Sequence, residues 1–162
     1  MSYASPQDLL DRYDARRVGD LATDSGTRLT ESQILADSKV STCMEDASGA
    51  LIAAIKRGNR YTDDDLSLLS GPSLSFLKRV VCDLSFSYLV MRRGYGADEV
   101  SAQAPGYKSA QEIIKKLQDG ELVFDLGSQI SAGTPSFTIK TYSVDGESQL
   151  PSSTAKRLFG MK

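Results

Sequence analysis

Two long stretches carry apolar residues at intervals of three and four, and they decide most of what this chain can fold into. In the first, Ile34, Leu35, Val40, Cys43, Met44, Ala47, Leu51, Ala54 and Ile55 follow a helical period and stop at Lys56, Arg57 and Gly58. In the second, Leu77, Val81, Leu84, Tyr88 and Met91 form one stripe, widened by Phe76, Val80 and Leu89, that stops at Arg92, Arg93 and Gly94. A period of about 3.6 residues predicts amphipathic helices. Each run ends with cations at the negative pole of the helix dipole and then a glycine able to take the left-handed cap. Thr30 and Gln33 have the spacing of a capping box, so the first run reads as one rod from Glu31 to Arg57, about 40 Å long at about 1.5 Å per residue. The second rod begins at Ser73, and the width of its stripe predicts burial against two elements, either helices of this chain or another copy.

Shorter helices fill the remainder. Ser5 before Pro6 is a helix start that leads into Leu9, Leu10 and Tyr13. Val18 to Leu21 gives one more turn before a loop around Gly26. Thr62 caps a short helix whose acidic first turn, Asp63 to Asp65, meets its positive end and whose Leu66, Leu68 and Leu69 reach the core. That spacing of aspartates is not the spacing of a calcium loop. The stretch from Tyr95 to Gly106 reads as a loop. A third clear helix follows, with Tyr107, Ala110, Ile113, Ile114 and Leu117 on one side and Gly120 at its end. Leu122 to Phe124 then has the composition of a short strand.

Composition narrows the function. The chain has no histidine, which removes the commonest general acid/base and metal ligand and every Ser-His or Cys-His nucleophile. The reading is therefore of a protein that is not an enzyme and needs no cofactor or metal. Its 19 Lys+Arg stand against 21 Asp+Glu, a net charge of −2, without the footprint of a protein that grips phosphate backbones. Cys43 and Cys82 fall within helical apolar patterns and read as small buried side chains. No apolar run approaches the roughly 20 residues that cross a bilayer, and the start MSYASPQDLLDR has neither a basic nor an apolar leader region, so the expected setting is the cytoplasm, with no membrane.

After Gly127 the composition shifts to Ser, Thr and Gly, punctuated by Pro135 and Pro151. This divides the chain into a helical domain, residues 1–126, and a tail, 127–162. Within the tail Phe137, Ile139 and Thr141 alternate with Thr138, Lys140 and Tyr142, in the manner of a strand. Such a strand has two partners open to it: the edge of a neighbouring subunit, or Leu122 to Leu126 in a hairpin with Phe137 to Val144. Phe137, Ile139, Tyr142 and Val144 are thus candidate contact residues. Lys156, Arg157, Leu158 and Phe159 form a second candidate set, a basic-apolar tip suited to a partner's groove.

The segments YASPQDLLDRYD, AAIKRGNRYT, VVCDLSFSYLVMRRG, YKSAQEIIKKLQDGELVF and AKRLFGMK, in that order, resemble the head-tail adaptor (connector) proteins of tailed bacteriophages, most closely the Mu-like branch. The resemblance implies a mainly α fold: a small helical bundle of two long and several short helices with a short β element and an extended tail. It also implies a virion protein of the neck that forms a homo-oligomeric ring, commonly a dodecamer, beneath the portal protein. Such a ring joins the portal to head-completion or tail proteins and lets DNA pass without sequence-specific contact. A competing reading is a small helical nucleic-acid-binding or regulatory module, whose basic surface would be Lys56, Arg57, Arg60, Lys78, Arg79, Arg92 and Arg93.

Overall fold

Three helices, α4 (Ser38–Gly58), α6 (Gly71–Arg92) and α8 (Gly106–Gln118), pack on one another pairwise and enclose the core. They belong to a computed structural model that describes residues 2–124. Around them lie α1 (Pro6–Leu10), α2 (Ala15–Ala22), α3 (Glu31–Leu35), α5 (Asp63–Ser67) and α7 (Ala97–Gln103). The fold is mainly helical, as the apolar periods predict. No strand occurs among the described residues.

The central element is α6, in which every residue from Val80 to Ser87 is buried. Its wide stripe meets α1, α2, α4, α7 and α8, so helices of the same chain cover it. Two polar residues within this stretch bond to their own helix: Ser85 Oγ donates to the Val81 carbonyl at 2.7 Å, and Ser87 Oγ to the Leu84 carbonyl at 2.6 Å. A serine that bonds back along its helix carries no unmet hydrogen-bonding group into the core. The helix starts earlier than the sequence suggests, with Ser70 rather than Ser73 at the N-cap and a proline in the first turn.

The predicted rod from Glu31 to Arg57 is two helices. Thr30 accompanies α3, with Gln33 Oε1 accepting the Thr30 N–H at 2.9 Å. Two residues after α3 ends, the Asp37 carboxylate accepts the N–H groups of Lys39 and Val40 at 2.8 and 3.1 Å. An aspartate bonded to the donors just ahead of it starts a helix and does not lie inside one. The rod therefore shortens to the 21 residues of α4, about 32 Å.

Gly58 also differs from expectation. The left-handed cap of α4 is Asn59, at φ 49°, and Gly58 is the last helical residue. Glycine is required there by packing: a Cβ would lie 1.9 Å from the Leu117 carbonyl oxygen of α8. At the end of α8 Gly120 does take the left-handed conformation, at φ 76°. Its N–H donates to Leu117 O at 3.2 Å and that of Glu121 to Lys116 O at 2.9 Å, the paired bonds of a Schellman ending.

The predicted loop after Tyr95 contains α7, whose Glu99 accepts the Gly96 N–H at 3.0 Å and whose Val100, with Ala104 just beyond it, is buried; two apolar residues were too few to reveal a period. Leu66 and Leu69 are buried, but Leu68, the C-cap of α5, faces solvent. The short strand expected at Leu122 to Phe124 does not form, for a reason that lies in the contacts of Tyr61.

Candidate functional site

The last described residues are held by contacts between residues far apart in sequence. Tyr61 follows the cap of α4, and its ring is buried against Phe124 edge to face, with centroids 5.5 Å apart. Its hydroxyl accepts the N–H groups of Val123 and Phe124 at 2.7 and 2.8 Å and donates to the Phe124 carbonyl at 3.3 Å. Phe124 is 2% exposed and meets Phe76 of α6 on another side, with centroids 6.2 Å apart. Next to this, Arg60 Nε donates to the Gly120 carbonyl at 3.0 Å. One hydroxyl takes two successive backbone donors that a β ladder would direct to opposite sides, so residues 122–124 are held as an irregular strap. Leu122, unlike Val123 and Phe124, is largely exposed.

The candidate contact residues Phe137, Ile139, Tyr142, Val144, Lys156, Arg157, Leu158 and Phe159 lie outside the described residues, as does one half of the hairpin alternative. Of the other half, Leu122 to Leu126, the described part is the strap, in which Tyr61 takes the Val123 and Phe124 N–H groups. The strap thus fixes where on the bundle the following segment begins, at the end shared by the C-termini of α4 and α8. Sequence reading missed Tyr61; the only signal was a tyrosine placed between a helix end and the Thr62 cap.

A second polar arrangement lies inside the bundle. Asp83 of α6, 8% exposed, accepts the Tyr13 hydroxyl at 2.7 Å, and Arg79 Nε stands 3.5 Å from its other oxygen. The Tyr13 ring stacks flat on Phe86, with centroids 4.1 Å apart, and the Arg17 guanidinium lies over the Phe86 ring. Burial and the Asp83 carboxylate push the Tyr13 phenol well above its ordinary range. Gly106, at the start of α8, closes the site: a Cβ there would lie 2.5 Å from the Asp83 carboxylate carbon. Asp83 therefore ties the segment after α1 to α6 and the start of α8, an arrangement that organises structure.

The basic residues of the nucleic-acid reading are largely engaged within the chain. Lys78 pairs with Asp8 at 3.0 Å, Arg79 with Asp83, and Arg60 with the Gly120 carbonyl. Arg92 Nη1 donates to the Leu21 and Ala22 carbonyls at 3.1 and 3.3 Å, and Arg92 also pairs with Asp24. Arg93 donates to the Asp20 carbonyl. The last turn of α2 contains no basic residue, so its carbonyls are capped by the end of α6.

No group of three metal-ligating side chains occurs among the described residues. Asp65 of the aspartate run accepts both the N–H and the hydroxyl of Thr62 at 2.8 Å, and these bonds hold its carboxyl below the usual range. Both cysteines are free and buried, and burial raises their thiols, that of Cys82 to about 12. Cys43 lies beside Tyr88, Asp46 and Arg92 in a largely apolar cleft of about 340 Å³. Among the described residues no helix is long and apolar enough to cross a membrane. Comparison with protein-family models, curated proteins and solved structures finds no match to this chain.

Proposed function

We propose that this chain is a structural assembly protein, a head-tail adaptor subunit of a tailed phage, acting in the virion neck as one member of a homo-oligomeric ring. In this reading the bundle is the rigid wedge that sets the ring's shape. The segment beyond residue 124 ties each subunit to its neighbours or to the portal through Phe137, Ile139, Tyr142 and Val144 and through the tip Lys156 to Phe159. The ring joins the portal to head-completion or tail proteins, and DNA passes through it without base contacts.

The observation that carries the proposal is the Tyr61 strap. A segment meant to act on a partner needs a fixed point of departure, because a wandering base would spend binding free energy on ordering. Here three hydrogen bonds and a buried phenylalanine supply that point, ahead of the Ser, Thr and Gly stretch that leads to the alternating apolar pattern at Phe137. The segments that carry the family resemblance also serve the bundle: one contains α1 and Tyr13, one the end of α4 with Tyr61, one most of α6, and one α8 with the strap. The engagement of Arg60, Lys78, Arg79, Arg92 and Arg93 in internal bonds weakens the nucleic-acid reading.

The test is the mass and shape of assemblies of the full chain, by native mass spectrometry and electron microscopy, beside a chain ending at Gly127. Closed rings from the full chain and a helical monomer from the shortened one are expected. A full chain that stays monomeric at high concentration, with or without a portal ring, would overturn the proposal. Salt-sensitive duplex binding by that monomer would favour the nucleic-acid module instead.

A further inference from the structure

We propose that the cleft between α2, the turn after α6 and the end of α7 binds a phosphomonoester carrying a small planar group. The cleft is about 450 Å³ and is lined by Arg17, Asp20, Leu21, Arg93, Tyr95 and Gln103. Small-molecule sites fall at roughly 300–1,000 Å³, so the space exceeds what a bare inorganic phosphate fills.

The case rests on an inventory of donors and acceptors. Arg17 reaches from α2 to the Gln103 carbonyl, and Arg93 reaches from the end of α6 to the Asp20 carbonyl. Each uses its Nη2 in this way, and the Arg17 guanidinium also lies over the Phe86 ring, so the two guanidinium groups are held in one lining from different elements. The Nε and Nη1 of both make no hydrogen bond within the described chain, and neither residue forms a salt bridge there. Tyr95 is 39% exposed, and its hydroxyl makes no hydrogen bond among the described residues. The one carboxylate in the lining, Asp20, is already filled by Arg28, whose Nε and Nη2 donate to its two oxygens at 2.8 and 3.0 Å. The carbonyl end of α2, which would repel an anion, is covered by Arg92 and Arg93. What remains is a surplus of donors and a positive charge balance, the chemistry of an oxyanion site.

Geometry selects among oxyanions. Guanidinium groups supplied by two elements, with the Tyr95 phenol in the same lining, offer donors from more than one direction. A tetrahedral phosphate with three terminal oxygens meets all of these, whereas a carboxylate presents two oxygens in one plane. The Tyr95 ring and the Leu21 side chain leave an apolar margin for a planar substituent.

The experiment uses the full chain and phenyl phosphate, followed by calorimetry and by NMR of the arginine Nε–Hε and tyrosine ring signals. Phenol, orthophosphate and benzoate serve as comparison probes. Saturable shifts at Arg17, Arg93 and Tyr95 are expected with phenyl phosphate, with weaker binding of orthophosphate and benzoate and none of phenol. Arg17→Gln should weaken binding at least about tenfold, the loss expected when a charge-assisted hydrogen-bond partner is removed. Tyr95→Ala, at an exposed residue with no hydrogen bond to lose among the described residues, provides a second variant that keeps the fold, and it should weaken phenyl phosphate more than orthophosphate. The proposal is overturned if those three residues show no saturable response, if both variants bind as the parent does, or if benzoate binds as tightly as phenyl phosphate.

Discussion

The Tyr61 hydroxyl holds Phe124 by both of its backbone groups, accepting its N–H at 2.8 Å and donating to its carbonyl at 3.3 Å. A side chain at the end of α4 thereby does for the strap what a neighbouring strand does in a sheet. Tyr61→Phe keeps the ring contact and leaves buried backbone groups without partners. The variant should lose about 1 to 3 kcal/mol of stability in urea denaturation. Hydrogen exchange at the Val123 and Phe124 amides should accelerate more than at the amides of α6. Unchanged exchange at both would mean that the hydroxyl does not hold the strap.

Two glycines of α4 should respond in opposite senses to the same substitution. Gly58→Ala drives a methyl into the Leu117 carbonyl and should cost about 1 to 3 kcal/mol. Gly49 faces open space in mid-helix, so Gly49→Ala should gain about 0.5 to 1 kcal/mol by lowering backbone entropy in the unfolded chain. The paired melting curves check the close approach of α4 and α8 directly.

Leu84 is fully buried at the middle of α6. Leu84→Ala should destabilise the fold by about 2 to 5 kcal/mol, through lost transfer free energy and the cavity left behind. A change under about 0.5 kcal/mol, the range of surface sites, would show that α6 is not central.

Acid should weaken the bundle partly through Asp8. Burial acts to raise its carboxyl, but bonds from the Ser5 N–H and hydroxyl at 2.8 and 2.7 Å, with the Lys78 ammonium, overcome this and hold it below the ordinary value of 3.8. Because the folded-state value is the lower one, the contribution is fully present above the unfolded pKa near 4 and is lost as pH falls through the folded value. Asp8→Asn should be less stable than the parent at pH 7, and the gap should narrow as pH drops below about 4. A gap that is constant from pH 7 to 2 would assign the loss to something other than charge.

Much of the bundle was legible because apolar periodicity and capping chemistry are local. The Thr30 capping box, the Thr62 cap, the Gly120 ending and the core face of α6 all follow from residues within one or two turns. Where the reading failed, a local signal competed with another or a distant residue intervened. Asp37 is an ordinary polar residue on a helical wheel until its carboxylate is seen to bond Lys39 and Val40, and Leu122 to Phe124 reads as a strand until Tyr61, some 60 residues earlier, takes its donors. The Arg17 and Arg93 cleft was hidden for the same reason, since its walls come from three elements and its residues share no motif.

The capping of α2 by Arg92 and Arg93 bears on how the chain is made. An eight-residue helix is too short to persist alone in water, and this one lacks its C-terminal partners until residues about 70 positions later are in place. At roughly 5–20 residues per second of synthesis, that gap is on the order of 4 to 14 seconds. During that interval Val18, Leu21 and Ala22, all buried in the finished fold, have no completed surface to lie against. The α2 region of the nascent protein therefore waits on α6, whose arrival supplies the partners of its last carbonyls.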